Sequence, residues 1–249
     1  MKVRYGLSEA AVAGLGLCEL ALPVDAPDRH SGRRLRELLA RVLSCRMRFC
    51  PHCQSADGDF LQCRQGAEYL KAASKCSISA LHARSFLSMH ARFSPGAVDR
   101  AGFRVRRIWV GASDAPHSFV AAHIDVESHL SRVCGAIAGM GPVTRLYALL
   151  MAINILHPFE DGNGRLMRAM AFAFSIQYRC DFFAFLAIHI KLMQQDFVYA
   201  MEMAADGVHR AVQEFHFAAL DTFERLGGAQ GGLDGWARGV VLGRLLARP

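Results

Sequence analysis

Beyond residue 123 the sequence is one helical pattern after another. Apolar residues recur at helical spacing over 123–138, 142–155, 164–178, 183–205 and 208–226, with only short breaks between. Such a series buries its apolar faces by packing helix on helix. Upstream, 67–93 carries the same period, with Leu70, Ala73, Ile78, Leu81, Phe86 and Met89 as core positions, until Ser94-Pro95-Gly96 stops it. One stretch reads differently. Phe103, Val105, Ile108, Trp109 and Val110 are strand formers, Gly111–Pro116 is turn-like, and Phe119 and Val120 resume, the pattern of a hairpin. The expected fold is mainly α, with one small β-hairpin.

Composition narrows the class. At 249 residues and 52% hydrophobic, the chain can bury a full core and is not intrinsically disordered. No stretch of about 18 apolar residues occurs, so no membrane-spanning helix is expected. Glu9 and Glu19 interrupt the apolar N-terminal stretch, which reads as a folded helix or loose segment rather than a signal peptide. Net charge is +7, and all of the excess sits in residues 1–150, with 20 basic and 12 acidic side chains. Arg29, Arg33, Arg34, Arg36, Arg41, Arg46 and Arg48 face only Glu37, on and around a helix expected at 35–43. Together with Arg104, Arg106 and Arg107 they read as a regulatory or target-facing surface. The eight cysteines read as reduced thiols of a cytosolic protein. The alternative is a zinc knuckle at Cys50-Pro51-His52-Cys53, with Cys45 and Cys63 nearby, although zinc ribbons have two such pairs. Three parts follow: an Arg- and Cys-rich N-terminal extension (1–60), a main domain (61–226), and a glycine-rich tail with a short helix (227–249).

The chemistry concentrates in His157-Pro158-Phe159-Glu160-Asp161-Gly162-Asn163-Gly164-Arg165-Leu166-Met167-Arg168. Pro158 disfavours helix for the residue before it, ending the apolar helix from Val143. A second helix starts near Gly164, with Met167, Met170, Ala171 and Phe174 on one face. Gly162-Asn163-Gly164 leading into a helix is anion-binding architecture, because backbone N–H groups turn inward and the helix dipole is positive there. Arg165 and Arg168, three apart, reach the same anion. That much positive charge suits a di- or triphosphate better than a carboxylate. Asp161 could hold a divalent metal, since Mg²⁺ takes one or two carboxylates plus substrate phosphates. His157 is the loop's group able to act as a base near neutral pH. Phe159 plugs the loop into the core.

These twelve residues resemble the signature of the Fic (filamentation induced by cAMP) family, H-x-F-x-[DE]-G-N-G-R-x-x-R, at every fixed position. Gly102–Gly111 resembles the family's G-x-[FY]-R…[VI]-x-[IV]-G strand, and His117-Ser118-Phe119-Val120 resembles the strand that completes its flap. Ala121 and Ala122 stand where prolines are usual. The resemblance covers about 67–205.

It implies a Fic-type helical bundle with a small β-hairpin flap, and a protein adenylyltransferase moving AMP from MgATP to a Ser, Thr or Tyr hydroxyl. By that resemblance His157 deprotonates the hydroxyl and Asp161 holds Mg²⁺. Phe159, Gly162, Asn163, Gly164, Arg165 and Arg168 form the ATP site. The flap residues Ile108, Trp109, Val110, Gly111, Ser118, Phe119 and Val120 dock the target as an added strand. Gly164, where the Doc-like kinase branch has Lys, favours AMP transfer over phosphotransfer. The family's inhibitory motif, [ST]-x-x-x-E-[GN], is absent: none of Glu9, Glu19, Glu37, Glu68, Glu127, Glu160, Glu202, Glu214 and Glu224 is followed by Gly or Asn. Ser44–Phe49 has Arg48 at the glutamate position. Inhibition in trans by an antitoxin, or no brake, is implied. A bacterial toxin or effector is expected, in the cytoplasm or delivered into a host cytosol, with a protein target and a possible homodimer. No membrane or nucleic-acid partner is expected. The motif does not read a base, so transfer of UMP, GMP or phosphocholine stays open, as does a nucleic-acid- or zinc-binding role for the N-terminal extension.

Overall fold

A computed structural model describes residues 2–4, 6–18, 20, 22, 75, 78, 81–93, 102–111, 116–120 and 124–227. The Arg-rich segment 29–48, Cys45, Cys50, Cys53, Cys63, Leu70, Ala73, the turn 112–115, Ala121, Ala122 and the tail beyond 227 lie outside those residues.

The described chain is mainly helical. In order it contains β1 (Lys2–Arg4), α1 (Glu9–Leu15), α2 (Ala83–Phe93), β2 (Ile108–Gly111), β3 (Pro116–Val120), α3 (Val126–Ala136), α4 (Pro142–Leu156), α5 (Asn163–Tyr178), α6 (Asp181–Leu192), α7 (Gln194–Ala205) and α8 (Arg210–Gly227). At the centre stands α4, buried on every side from Leu146 to Leu156. A helix apolar all round belongs inside a bundle. Around it pack α1, α3, α5 and α7, while α6 lies along α5, α8 covers α6 and α7, and α2 bridges α3 and α5. Phe182, Phe183 and Phe185 of α6 are fully buried, each contributing about 1.5–3 kcal/mol of apolar burial.

Local chemistry sets the helix ends. Ser8 caps α1 by accepting from the Ala11 N–H at 3.1 Å, and Asp125 caps α3 by accepting from Ser128 at 3.0 Å. Pro142 opens α4 at its first position, where no N–H is needed. The helix expected over 67–93 is, in its described part, shorter. It begins at Ala83, where the Ser85 hydroxyl accepts from the His82 N–H at 3.3 Å and turns the chain in. Ile78, Phe86 and Met89 are buried as expected, and Leu81 packs against the core. The single helix expected over 183–205 divides at Met193, whose ψ of 39° leaves the helical range.

The N-terminal stretch, expected as a helix or loose segment, contributes a strand and a helix. β1 pairs in parallel with β3, and β3 pairs antiparallel with β2, so the sheet order is β1-β3-β2. Leu7, Ala11, Val12 and Leu15 join the same core as α4. The α1 backbone is close to the turn before α8: the His209 Nε2–H donates to the Ala11 carbonyl at 2.9 Å. A Cβ on Gly14 would lie 2.1 Å from His209 Cε1, so Gly14→Ala drives the ring off that bond. It is expected to destabilise by about 1–3 kcal/mol, measured as a fall in melting temperature. Gly135 in α3 has open space at its Cβ position. Gly135→Ala is expected to raise the melting temperature, by up to about 1 kcal/mol of helix propensity.

Candidate active site

The site is the junction between α4 and α5. The last helical residue of α4 is Leu156, and His157 turns out of the helix with φ 47° and ψ 61°. That left-handed conformation is uncommon for a residue with a side chain and persists only where the surroundings enforce it. The loop then returns to start α5 at Asn163. Gly162 precedes it at φ 89°, where glycine carries no Cβ penalty.

Asn163 closes the loop on itself. Its Nδ2 donates to the Phe159 carbonyl at 2.7 Å, and its Oδ1 accepts from the Phe159 N–H at 3.1 Å. The carboxamide is therefore spent on loop shape, leaving the Asn163 backbone N–H as its contribution to an anion cradle. Phe159 is 3% exposed and is the core plug that the sequence implied. His90 of α2 lies flat on it, ring centroids 3.7 Å apart at 4°, and Phe103 packs against it at a tilt, centroids 5.7 Å apart at 37°. The His90 Nε2 donates to the Asp161 carbonyl at 2.6 Å, which assigns the proton to that nitrogen because a carbonyl only accepts. Burial lowers the His90 pKa and keeps the ring neutral.

Arg165 lies in the first turn of α5 and Arg168 in the second, and they are 7% and 6% exposed. Burying two guanidinium groups three residues apart is costly unless anions meet them. One carboxylate does: Asp161 Oδ2 accepts from Arg165 Nη2 at 2.9 Å, while its Oδ1 accepts from the Gly162 N–H at 2.7 Å. The Asp161 side chain is 56% exposed against 8% for Arg165, so the carboxylate faces solvent and the arginine lies beneath it. A Cβ on Gly164 would meet Arg168 Nη1 at 3.2 Å, so glycine leaves that guanidinium its place. The first-turn N–H groups of α5 have no acceptor within the helix and add their partial positive charge. Arg165, Arg168 and the helix N-terminus thus gather positive charge at this end of α5.

Asp161 suits a hard cation. Its carboxylate is the donor type Mg²⁺ takes, and it is open to solvent beside Arg165. Among the described residues no cluster of three His, Cys, Asp or Glu side chains stands together as a metal cage. Cys18, Cys134 and Cys180 are free thiols whose pKa values burial raises, that of Cys134 to about 11, so they are poor nucleophiles near neutral pH.

The junction thus brings together His157, Phe159, Asp161, Gly162, Asn163, Gly164, Arg165 and Arg168. The residues expected to form a flap divide between two strands. Ile108, Trp109, Val110 and Gly111 form β2, and Ser118, Phe119 and Val120 belong to β3, the central strand, whose two edges are taken by β1 and β2. Arg106 and Arg107 are exposed, as a surface role requires, but Arg104 is 5% exposed. That corrects its assignment to a target-facing surface: it is drawn inward by the carbonyl groups at the end of α4. Sequence reasoning also missed His90. Its spacing four residues beyond Phe86 was a signal, for it places the ring on the buried face of α2.

Residues 77–175 match the family model described as Fic/DOC family, and the chain carries a Fic domain over that stretch. The matched span runs from just ahead of α2 into the last turn of α5 and contains every residue of the junction. It is a Fic-type transferase scaffold. No curated protein matches the chain. Among the described residues no helix is long and apolar enough to cross a membrane.

Proposed function

We propose that this chain is a protein adenylyltransferase, moving AMP from MgATP to a Ser, Thr or Tyr hydroxyl of a target protein. The observation that carries the reading is the pair of buried arginines, Arg165 and Arg168, under a glycine-opened helix N-terminus that begins six residues after His157. In this reading the first-turn N–H groups of α5, Arg165 and Arg168 hold the β- and γ-phosphates, and His157 faces the α-phosphate side. His157 takes the proton of the target hydroxyl as its oxygen attacks the α-phosphorus. The bond to the bridging oxygen breaks, and pyrophosphate leaves with its negative charge held by the two arginines. Catalysis is then positioning and preorganised charge. Asp161, with the nucleotide's own phosphates, would hold Mg²⁺, which would supply charge neutralisation there.

The target docks as an added strand. With both edges of β3 taken, the open hairpin edge is that of β2, Ile108–Gly111. Regulation comes in trans or is absent, in line with a sequence lacking the inhibitory glutamate. Nothing in the junction reads a base, so UMP, GMP or phosphocholine is the second reading.

The test uses the purified chain, Mg²⁺ and cell lysate, with ATP labelled in turn at the α- and γ-phosphate. A protein band labelled from α-labelled ATP alone is the expected result. Label from the γ-phosphate would make the reaction phosphotransfer, and label from UTP, GTP or CDP-choline but not ATP would move the proposal to the second reading.

A further inference from the structure

His157 sits in a strained conformation, and one residue far away in sequence holds the backbone on which it sits. Arg104 precedes β2 by only a few residues, yet it addresses three successive carbonyls at the end of α4. Its Nη2 donates to the Leu156 carbonyl at 2.9 Å and its Nε to the same oxygen at 3.3 Å. The Nε also donates to the His157 carbonyl at 2.8 Å. Its own backbone N–H donates to the Pro158 carbonyl at 2.9 Å. Its Nη1 donates to the Arg106 carbonyl at 3.0 Å, which fixes the guanidinium plane.

A helix ends with carbonyls that have no acceptor role inside the helix, and a cation there complements the dipole. A buried guanidinium fits that end because its planar fork serves two oxygens at once, which a lysine ammonium does in no fixed geometry. The donors on Nε, Nη1 and Nη2 are turned onto main-chain oxygens. We propose that Arg104 is a positioning residue: by clamping the 156–158 carbonyls it holds His157 left-handed, and so aims the imidazole. The proposal rests on the reading of His157 as the base. It implies that the hairpin and the base are mechanically joined, since the residue that leads into β2 also sets the angle of His157.

The test compares wild type with Arg104→Lys and Arg104→Gln. Both variants are expected to bind MgATP within about twofold of wild type, because the α5 N-terminus is untouched, while the rate of label transfer falls on the order of 100-fold. Lys, which keeps the charge, is expected to retain more than Gln. Backbone Cα and carbonyl chemical shifts of His157 are the second readout. They are expected in the left-handed range for wild type and shifted out of it in both variants. Folded variants that keep both the transfer rate and the His157 shifts overturn the proposal. So does a rate loss matched by an equal loss of nucleotide affinity. The wild-type shifts decide the matter even if neither variant folds: a His157 that is not left-handed in solution overturns the proposal. A wild type that transfers no label, with the shifts behaving as expected, sinks the adenylyltransferase reading and leaves the clamp standing.

Discussion

Replacing His157 with alanine is expected to lower label transfer by about 100- to 10,000-fold, the range that a positioned general base supplies. MgATP affinity is expected to stay within about twofold, because the proposed reading gives phosphate binding to the α5 N-terminus and its arginines rather than to His157. The split matters more than the size of the loss. A hydroxyl near neutral pH is almost entirely protonated, and the reaction stalls unless its proton leaves as the oxygen attacks. The cleaner variant is His157→Asn. Asparagine enters the left-handed region more readily than most residues, so φ 47° is kept at small cost, while the carboxamide has no basic nitrogen. Alanine and asparagine should therefore fail alike in transfer, with asparagine melting nearer to wild type. A labelled band that survives both substitutions removes His157 from the chemistry.

Much of this site was legible because its logic is local. Pro158 ends one helix, Gly162 permits the turn into the next, and the arginines follow at a spacing that shares a face. Each inference needs only neighbours a few residues away, and the twelve-residue signature compresses them. The parts that were not legible are carried by distant contacts. Arg104 sits among other arginines in a basic stretch, and composition alone assigns all of them to the surface. Its burial depends on carbonyls 52 and 53 residues downstream. His90 looks like any polar residue on α2 until Phe159 is laid against it.

The fold shows the same division. The helix pattern from 123 onward is written in apolar spacing, because each helix there has a face to bury. The break at Met193 has no Gly or Pro to announce it, since the division between α6 and α7 comes from tertiary packing overriding a locally continuous pattern. The start of α2 at Ala83 depends on one hydroxyl, that of Ser85. β1 is three residues long, too short for a period of two to register, and is defined by its pairing with β3.

Asp161→Asn should separate the two jobs that this carboxylate does, because they respond in opposite directions. Asparagine keeps the shape and an oxygen able to accept from the Gly162 N–H, the bond Asp161 Oδ1 makes at 2.7 Å. It removes the charge that faces Arg165 at 2.9 Å and the hard anionic oxygen a magnesium ion would take. With that negative charge gone, the floor under Arg165 and Arg168 becomes more positive. Binding of metal-free ATP or pyrophosphate is expected to tighten on the order of fivefold, a modest gain because the carboxylate is half in water, where charge is screened. Mg²⁺-dependent transfer is expected to fall at least about 100-fold, since the charge developing between α- and β-phosphates loses its neutralising partner. Calorimetry with pyrophosphate and label transfer across a magnesium titration measure the two effects on one preparation. Tighter anion binding with lost transfer is the signature of a metal-holding carboxylate seated on an arginine floor. Weaker anion binding together with lost transfer would mean that Asp161 serves mainly to hold Arg165 in shape, and transfer that survives with its magnesium dependence intact would place the metal elsewhere.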